Sequence, residues 1–141
     1  MSPLTPVVDN RVMGLLLQTA RAVEKRLDET LEAVELSVPK FSALKHLALA
    51  GEPLSLSELA GRMVCVRSNV TQLVDRLQAD GLVRRVEDPR DRRCVRATLT
   101  PLGHERQTAG AQRVDAVRAE MAEILSEVDC EALERALARL R

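Results

Sequence analysis

The chain has 141 residues, 45% hydrophobic and 30% charged, with 21 Lys/Arg balancing 21 Asp/Glu. That composition fits one helix-rich globular unit and argues against a general polycation. Phe41 is the only aromatic residue, so the core must be aliphatic. No apolar run reaches the roughly 18 residues of a membrane span. The start Met1-Ser2-Pro3-Leu4 lacks the basic-then-apolar pattern of a secretory signal, so a cytoplasmic location is expected. The charge is unevenly spread. Residues 61–100 hold 9 Lys/Arg and 5 Asp/Glu, a balance of +4, whereas 1–60 (6 and 8) and 101–141 (6 and 8) each stand at −2. A positive central segment between acidic flanks suits a module that faces a polyanion.

Apolar positions from Val8 to Val34 recur at helical spacing and predict a long first helix, Asp9–Glu35, with Asp9 as its cap. Leu36 to Val38 link it to a second helix, Pro39–Leu49, with Pro39 in its first turn. After the Gly51-Glu52-Pro53 break come a short strand, Leu54–Leu56, and a third helix from Ser57 to about Met63. A fourth helix is expected over Arg67–Asp80, with Val70, Leu73, Val74 and Leu77 as its buried face. Gly81 stops it. A strand Leu82–Val86, a charged turn around Pro89 and a strand Cys94–Leu99 then form a hairpin. The chain closes with a fifth helix from Thr100-Pro101 to about Glu127, with Gly110 as its weak point, and a short helix capped by Asp129.

This order is a mainly α (α+β) fold, a winged helix-turn-helix framed by terminal helices. Residues 36–100 would form the DNA-binding unit. Residues 1–35 and 101–141 would form a dimerisation region, since their apolar faces need a partner helix.

Opposite the buried face of the fourth helix lie Ser68, Gln72 and Asp75, flanked by Asn69 and Arg76, with Arg67 at the helix start. Asn and Gln pair with adenine and Arg with guanine in the major groove, so these types suit base reading. An ordinary solvated face would look the same in isolation. The preceding short helix, the cationic hairpin and the local positive charge favour the functional reading. Asp75 does not suit a surface near phosphate and is expected to pair with an arginine. On the hairpin, Arg90, Arg92, Arg93 and Arg96 stand at or after the tip. Arg90 and Arg92 are the candidates for minor-groove or phosphate contact. Asp88, Asp91 and Arg93 are expected to stiffen the turn as a salt-bridge cluster, and at most one of Arg84 and Arg85 faces DNA.

Several segments, in this spacing, resemble the MarR family of bacterial transcription regulators. They are Ser57-Glu58-Leu59-Ala60, Val70 to Leu77, Gly81-Leu82-Val83-Arg84-Arg85, Asp88-Pro89-Arg90-Asp91-Arg92-Arg93 and Leu99-Thr100-Pro101-Leu102-Gly103. The resemblance implies a homodimer interlocked through its first and last helices. It implies repression by binding to a pseudo-palindromic double-stranded DNA operator, and release by a small, commonly aromatic or anionic effector. It places Ser68, Asn69, Gln72 and Arg76 on the recognition helix, and Asp88, Arg90, Asp91 and Arg93 on the family's D-x-R-D-x-R wing pattern. One departure is that Val64 and Val66 stand where the family commonly has Gly and a Ser or Thr cap. Either Ser68 caps a helix that starts later, or the turn has another geometry.

An effector cleft would be lined by the first helix (Leu15, Leu16, Thr19) and the second (Phe41, Leu44, Lys45), with Arg11 or Lys45 meeting a carboxylate. Core packing is the competing reading for Leu15, Leu16 and Phe41. Cys65, Cys94 and Cys130 are odd in number and spaced for neither a disulfide framework nor a metal site. They are expected to be buried or inert, with Cys65 and Cys94 the candidates if the regulator senses oxidation. His46 is expected on a helix surface, and His104 after a turn at Gly103. No arrangement of nucleophile, base and orienting group suggests an enzyme, and no cofactor or metal is expected. A helical dimer working through protein contacts, with a degenerate DNA surface, is the remaining alternative.

Overall fold

The structure, a computed structural model, describes residues 10–63 and 69–141. The elements in chain order are α1 (Asn10–Glu32), α2 (Val38–Ala50), β1 (Leu54–Ser55), α3 (Leu56–Arg62), α4 (Val70–Ala79), β2 (Val83–Glu87), β3 (Val95–Leu99), α5 (Pro101–Ile124) and α6 (Cys130–Arg139). The three strands form one antiparallel sheet in the order β1-β3-β2. Among the described residues, no helix is long and apolar enough to cross a membrane.

Element types follow the sequence, and most boundaries shift for reasons of capping. Asp9, expected to cap α1, lies outside the described residues. α1 stops at Glu32 rather than Glu35 because the Leu36 N–H turns back to the Leu31 carbonyl at 3.0 Å. Glu35 takes the left-handed conformation, φ 58°, that such a helix ending requires. Arg106 of α5 holds this corner, donating to the Val34 carbonyl at 3.2 Å and to the Glu35 carboxylate at 3.1 Å. α2 begins one residue early because its first N–H groups have acceptors at hand. Ser37 Oγ accepts from Lys40 N–H at 3.3 Å, and Asp28 of α1 accepts from Val38 N–H at 2.8 Å. β1 is cut short at Ser55, which caps α3 by accepting the Glu58 N–H at 3.1 Å.

The core is aliphatic, as the single aromatic requires. Leu31 and Leu36 meet Leu44 and Leu47 of α2, Leu59 of α3, Val74 and Leu77 of α4, and Val83, Ala97 and Leu99 of the sheet. Thr100 fastens α5 to the hairpin. Its hydroxyl donates to the Gly81 carbonyl at 2.6 Å and accepts the Gly103 N–H at 3.0 Å, while its own N–H reaches the Leu82 carbonyl at 3.1 Å. α5 ends at Ile124, earlier than the expected Glu127. Asp129 caps α6 as expected, accepting the Ala132 N–H at 3.1 Å.

Gly110 is not a weak point of α5. The helix runs through it unbroken, and a Cβ there would lie 2.7 Å from Phe41 Cδ2. The glycine lets α5 approach α2. Gly103 is likewise no turn: it lies in the first turn of α5, and His104 is an exposed helical residue.

The two ends of the chain pack poorly in a single copy. Along the first half of α1, Val12, Met13, Leu15, Leu16 and Leu17 are all exposed, as are Ile124, Val128, Leu137 and Leu140 near the C-terminus. Core packing, the competing reading for Leu15 and Leu16, therefore does not hold within one chain. α6 contains no buried residue.

Candidate nucleic-acid interface

α4 is where the sequence places the reading helix, but it starts at Val70 instead of Arg67. Asn69 is its cap, with Oδ1 accepting the Gln72 N–H at 3.2 Å. Asn69 is thus at the helix entrance and not on its flank, and one of its polar atoms is already engaged. The candidates Arg67 and Ser68, and the thiol of Cys65, lie outside the described residues. Leu73, Val74 and Leu77 are buried and Val70 partly so, which turns Gln72, Asp75 and Arg76 outward. Thr71 is exposed beside them, a position the sequence reading passed over. Its signal was available in the helical angle alone.

Asp75 pairs with Arg85 of β2, as expected of an acid on this face. Arg85 also donates to the Gln78 side chain at 3.0 Å. Because β2 alternates, Arg85 points to α4 while Arg84 is exposed on the opposite face of the sheet. The pair ties the outward face of α4 to the root of the hairpin.

The hairpin tip is built from two aspartates that accept backbone N–H groups two residues on. Asp88 Oδ1 takes the Arg90 N–H and Asp91 Oδ1 the Arg93 N–H, each at 2.9 Å. These are Asx turns, which need an acceptor of this length at each position. The tip is closed by Asp88 N–H to the Cys94 carbonyl at 3.1 Å and Cys94 N–H to the Asp91 carbonyl at 3.0 Å. The salt-bridge cluster expected of Arg93 is not formed by its side chain. Arg96 makes it instead, with Nε 3.0 Å from Asp88 Oδ2. Among the described residues, the side chains of Arg76, Arg84, Arg90, Arg92 and Arg93 make no ion pair, and all five are exposed. Asp88 is held below the ordinary carboxylate range, first by the Arg90 N–H and then by the Arg96 guanidinium. The hairpin therefore keeps its turn acid ionised while leaving the tip arginines free to meet an anion.

The expected effector residues divide. Phe41 and Lys45 line a shallow concavity between α2 and α5, with Leu49, Val114 and Arg118. Leu15 and Thr19 do not line it: both are exposed on α1. Leu44 is fully buried in the core. Arg118 already pairs with Asp115. His46 is half-buried on α2, and burial, then Lys45 and Arg62, hold its pKa below the ordinary value. Cys94 and Cys130 are exposed, so neither of these thiols, expected to be buried or inert, is buried. The Cys94 thiol lies 3.9 Å from Asp91 Oδ2, and Cys94 precedes β3 instead of opening it. No three His, Cys, Asp or Glu side chains among the described residues group as metal ligands.

Comparison with known proteins agrees with this geometry. The MarR family model matches residues 36–95, from the end of the α1–α2 corner to the start of β3. The HTH-type transcriptional regulator YsmB of Bacillus subtilis is 37% identical over 72% of this chain and 67% of its own length. Curated relatives are thus matched over about two thirds of their length or less. The crystal structure of the transcriptional regulator BldR from Sulfolobus solfataricus is 33% identical with a TM-score of 0.67, covering 92% of this chain and 94% of that one. The transcriptional regulator MosR of M. tuberculosis, solved in complex with DNA, is 28% identical with a TM-score of 0.73, covering 91% of each chain. A recognition-type helix pinned to an arginine-tipped hairpin, together with these matches over sequence and fold, establishes that the chain belongs to the MarR family of transcription regulators.

Proposed function

We propose that this regulator is a cytoplasmic homodimer that represses transcription by binding a pseudo-palindromic operator. In this reading residues 36–100 bind DNA, and residues 1–35 with 101–141 hold the dimer together. Gln72 and Arg76, with Asn69 at the helix entrance and with Arg67 and Ser68, which precede it in the sequence, read the major groove. Arg90 and Arg92 reach the minor groove or its phosphates. Asp88, Asp91 and Arg93 shape the tip, the last through its backbone N–H. The observation that carries the reading is the pairing of an outward polar face on α4 with exposed, unpaired arginines on the adjoining hairpin. The dimer is supported by α6, none of whose residues is fully buried in one chain, and by the exposed leucines of α1. Burying such faces against a second copy is the simplest way to remove them from water.

Release of the operator by a small effector anion is supported by the concavity that holds Phe41 and Lys45. Leu15 and Thr19 would join it only from a second chain. A thiol-responsive version rests on Cys94, exposed at the hairpin, and on Cys65, which precedes α4 in the sequence.

Two variants test the assignment against operator and random duplexes. Arg90→Ala should weaken binding to both, as loss of a backbone contact does, and lower the salt slope by about 1. Gln72→Ala should also relax base preference, costing about 1–3 kcal/mol of discrimination at one position. Equal losses on both duplexes for both variants would refute the division of labour.

A further inference from the structure

Arg96 is one of four arginines that the sequence places at or after the hairpin tip, but its surroundings set it apart. It sits on the central strand, level with Val86 of β2 on one side and Ser55 of β1 on the other. Ala97 and Leu99 point into the core, so Arg96 lies on the outer face of the sheet. From there its guanidinium reaches two ways. Nε donates to Asp88 Oδ2 at 3.0 Å, and Nη1 lies 3.3 Å from the Pro53 carbonyl and 3.4 Å from Glu58 Oε1. The first partner begins the tip turn. The other two belong to the approach to β1 and the first turn of α3.

We propose that Arg96 is a positioning residue for DNA binding. It spends its charge inside the protein, locking the hairpin tip to α3, and so sets where Arg90 stands relative to α4. The chain of contacts is continuous. Glu58 and Pro53 hold Arg96, Arg96 holds one oxygen of Asp88, and the other oxygen of Asp88 accepts the Arg90 N–H at 2.9 Å. The planar fork suits this task, since its donors address separate acceptors at fixed angles. A lysine's donors all radiate from one nitrogen, so it lacks the separate Nε and Nη1 positions that address the two ends. Asp88 is a further mark of the same role. An acid on a DNA-facing hairpin repels phosphate, yet here it is only 12% exposed and turned onto Arg96.

The inference rests on the DNA-binding reading above, and its test separates the two. The full chain is titrated with the duplex it selects from a random-sequence pool, at several salt concentrations. The variants are Arg90→Ala, Arg96→Gln, Arg96→Lys, the Arg90→Ala/Arg96→Gln double and Asp88→Asn, with thermal unfolding recorded for each. Arg90→Ala should weaken binding on the order of tenfold, the scale of one lost contact. Both Arg96 variants should match that loss, the double variant should lose no more than Arg90→Ala alone, and lysine should not rescue. Asp88→Asn, which removes a negative charge from the DNA face, should also weaken binding. Losses that multiply in the double variant, rescue by lysine, or tighter binding by Asp88→Asn would make Arg96 an ordinary phosphate contact and overturn the proposal. If Arg96→Gln melts early, the Asp88→Asn result decides. No effect of Arg90→Ala would instead remove the DNA role of the tip, and the positioning role with it.

Discussion

Gly103 offers a sharp test of how the hairpin is mounted. It lies in the first turn of α5, directly against the chain that enters β2. A Cβ at this position would meet the Leu82 carbonyl oxygen at 2.0 Å, the Leu82 carbonyl carbon at 3.0 Å and Leu99 Cδ2 at 3.3 Å. The first two are backbone, so no rotamer change relieves them. Gly103→Ala must push α5 away from β2 and stretch the bond from Thr100 N–H to the Leu82 carbonyl, 3.1 Å in the native chain. Overpacking of this kind costs about 1–3 kcal/mol, and the weakened hydrogen bond about 0.5–1.5 kcal/mol. Against this, alanine in a helix gains about 1 kcal/mol over glycine. The expected net loss is about 1–3 kcal/mol, or a fall in Tm of about 3–9 °C for a chain of this size. Thermal unfolding by circular dichroism, at matched protein concentration because association shifts Tm, reads it directly. The control is Gly61→Ala in α3, where a Cβ meets nothing within 4 Å. It should be neutral or stabilising by up to about 1 kcal/mol. A Gly103→Ala protein as stable as wild type would refute the close approach of α5 and β2.

Asn69→Ala should destabilise by about 1 kcal/mol through loss of the α4 cap, whereas Asn69→Ser should retain most of it; chemical denaturation midpoints distinguish the two. Phe41→Ala removes the ring that fills the space left by Gly110 and should cost about 3 kcal/mol or less, since Phe41 is only partly buried. His46 favours its neutral form in the folded chain. Below its ordinary pKa of about 6.5, the unfolded chain therefore binds a proton more readily, and stability should fall with acidification until the folded-state pKa is passed. His46→Gln should flatten that part of the pH–stability curve, and an unchanged slope would show that His46 does not contribute.

The architecture was legible in the sequence because its signals are local. Apolar spacing marks each helix, and turn residues mark the hairpin. The acid on the exposed face of α4 announced its need for a cation, and Arg85 supplies it. What escaped depends on distance across the fold. Nothing near Gly110 in the sequence reveals that Phe41, far earlier in the chain, needs the space a side chain would fill. The exchange of roles between Arg93 and Arg96 is of the same kind. Spacing alone suggests a pair within the tip, while strand register carries Arg96 to Asp88 and α3. Helix starts moved for a subtler reason. A helix starts at the residue whose side-chain oxygen reaches a free N–H, as Ser55 does for α3 and Asn69 for α4. The apolar residues of α1 are exposed in one chain; amphipathic spacing shows that a face will be buried, not by what.

The proposed function comes down to sequence-specific DNA binding by a two-fold dimer through α4 and the hairpin. Selection from a random-sequence duplex pool, followed by salt titration of the enriched duplex, tests it most directly. The enriched duplex should be a pseudo-palindrome whose half-sites are centred about one helical turn apart, bound with an affinity that falls steeply with salt as phosphate contacts release counterions. A pool that stays random after selection, or binding indifferent to salt, would contradict it.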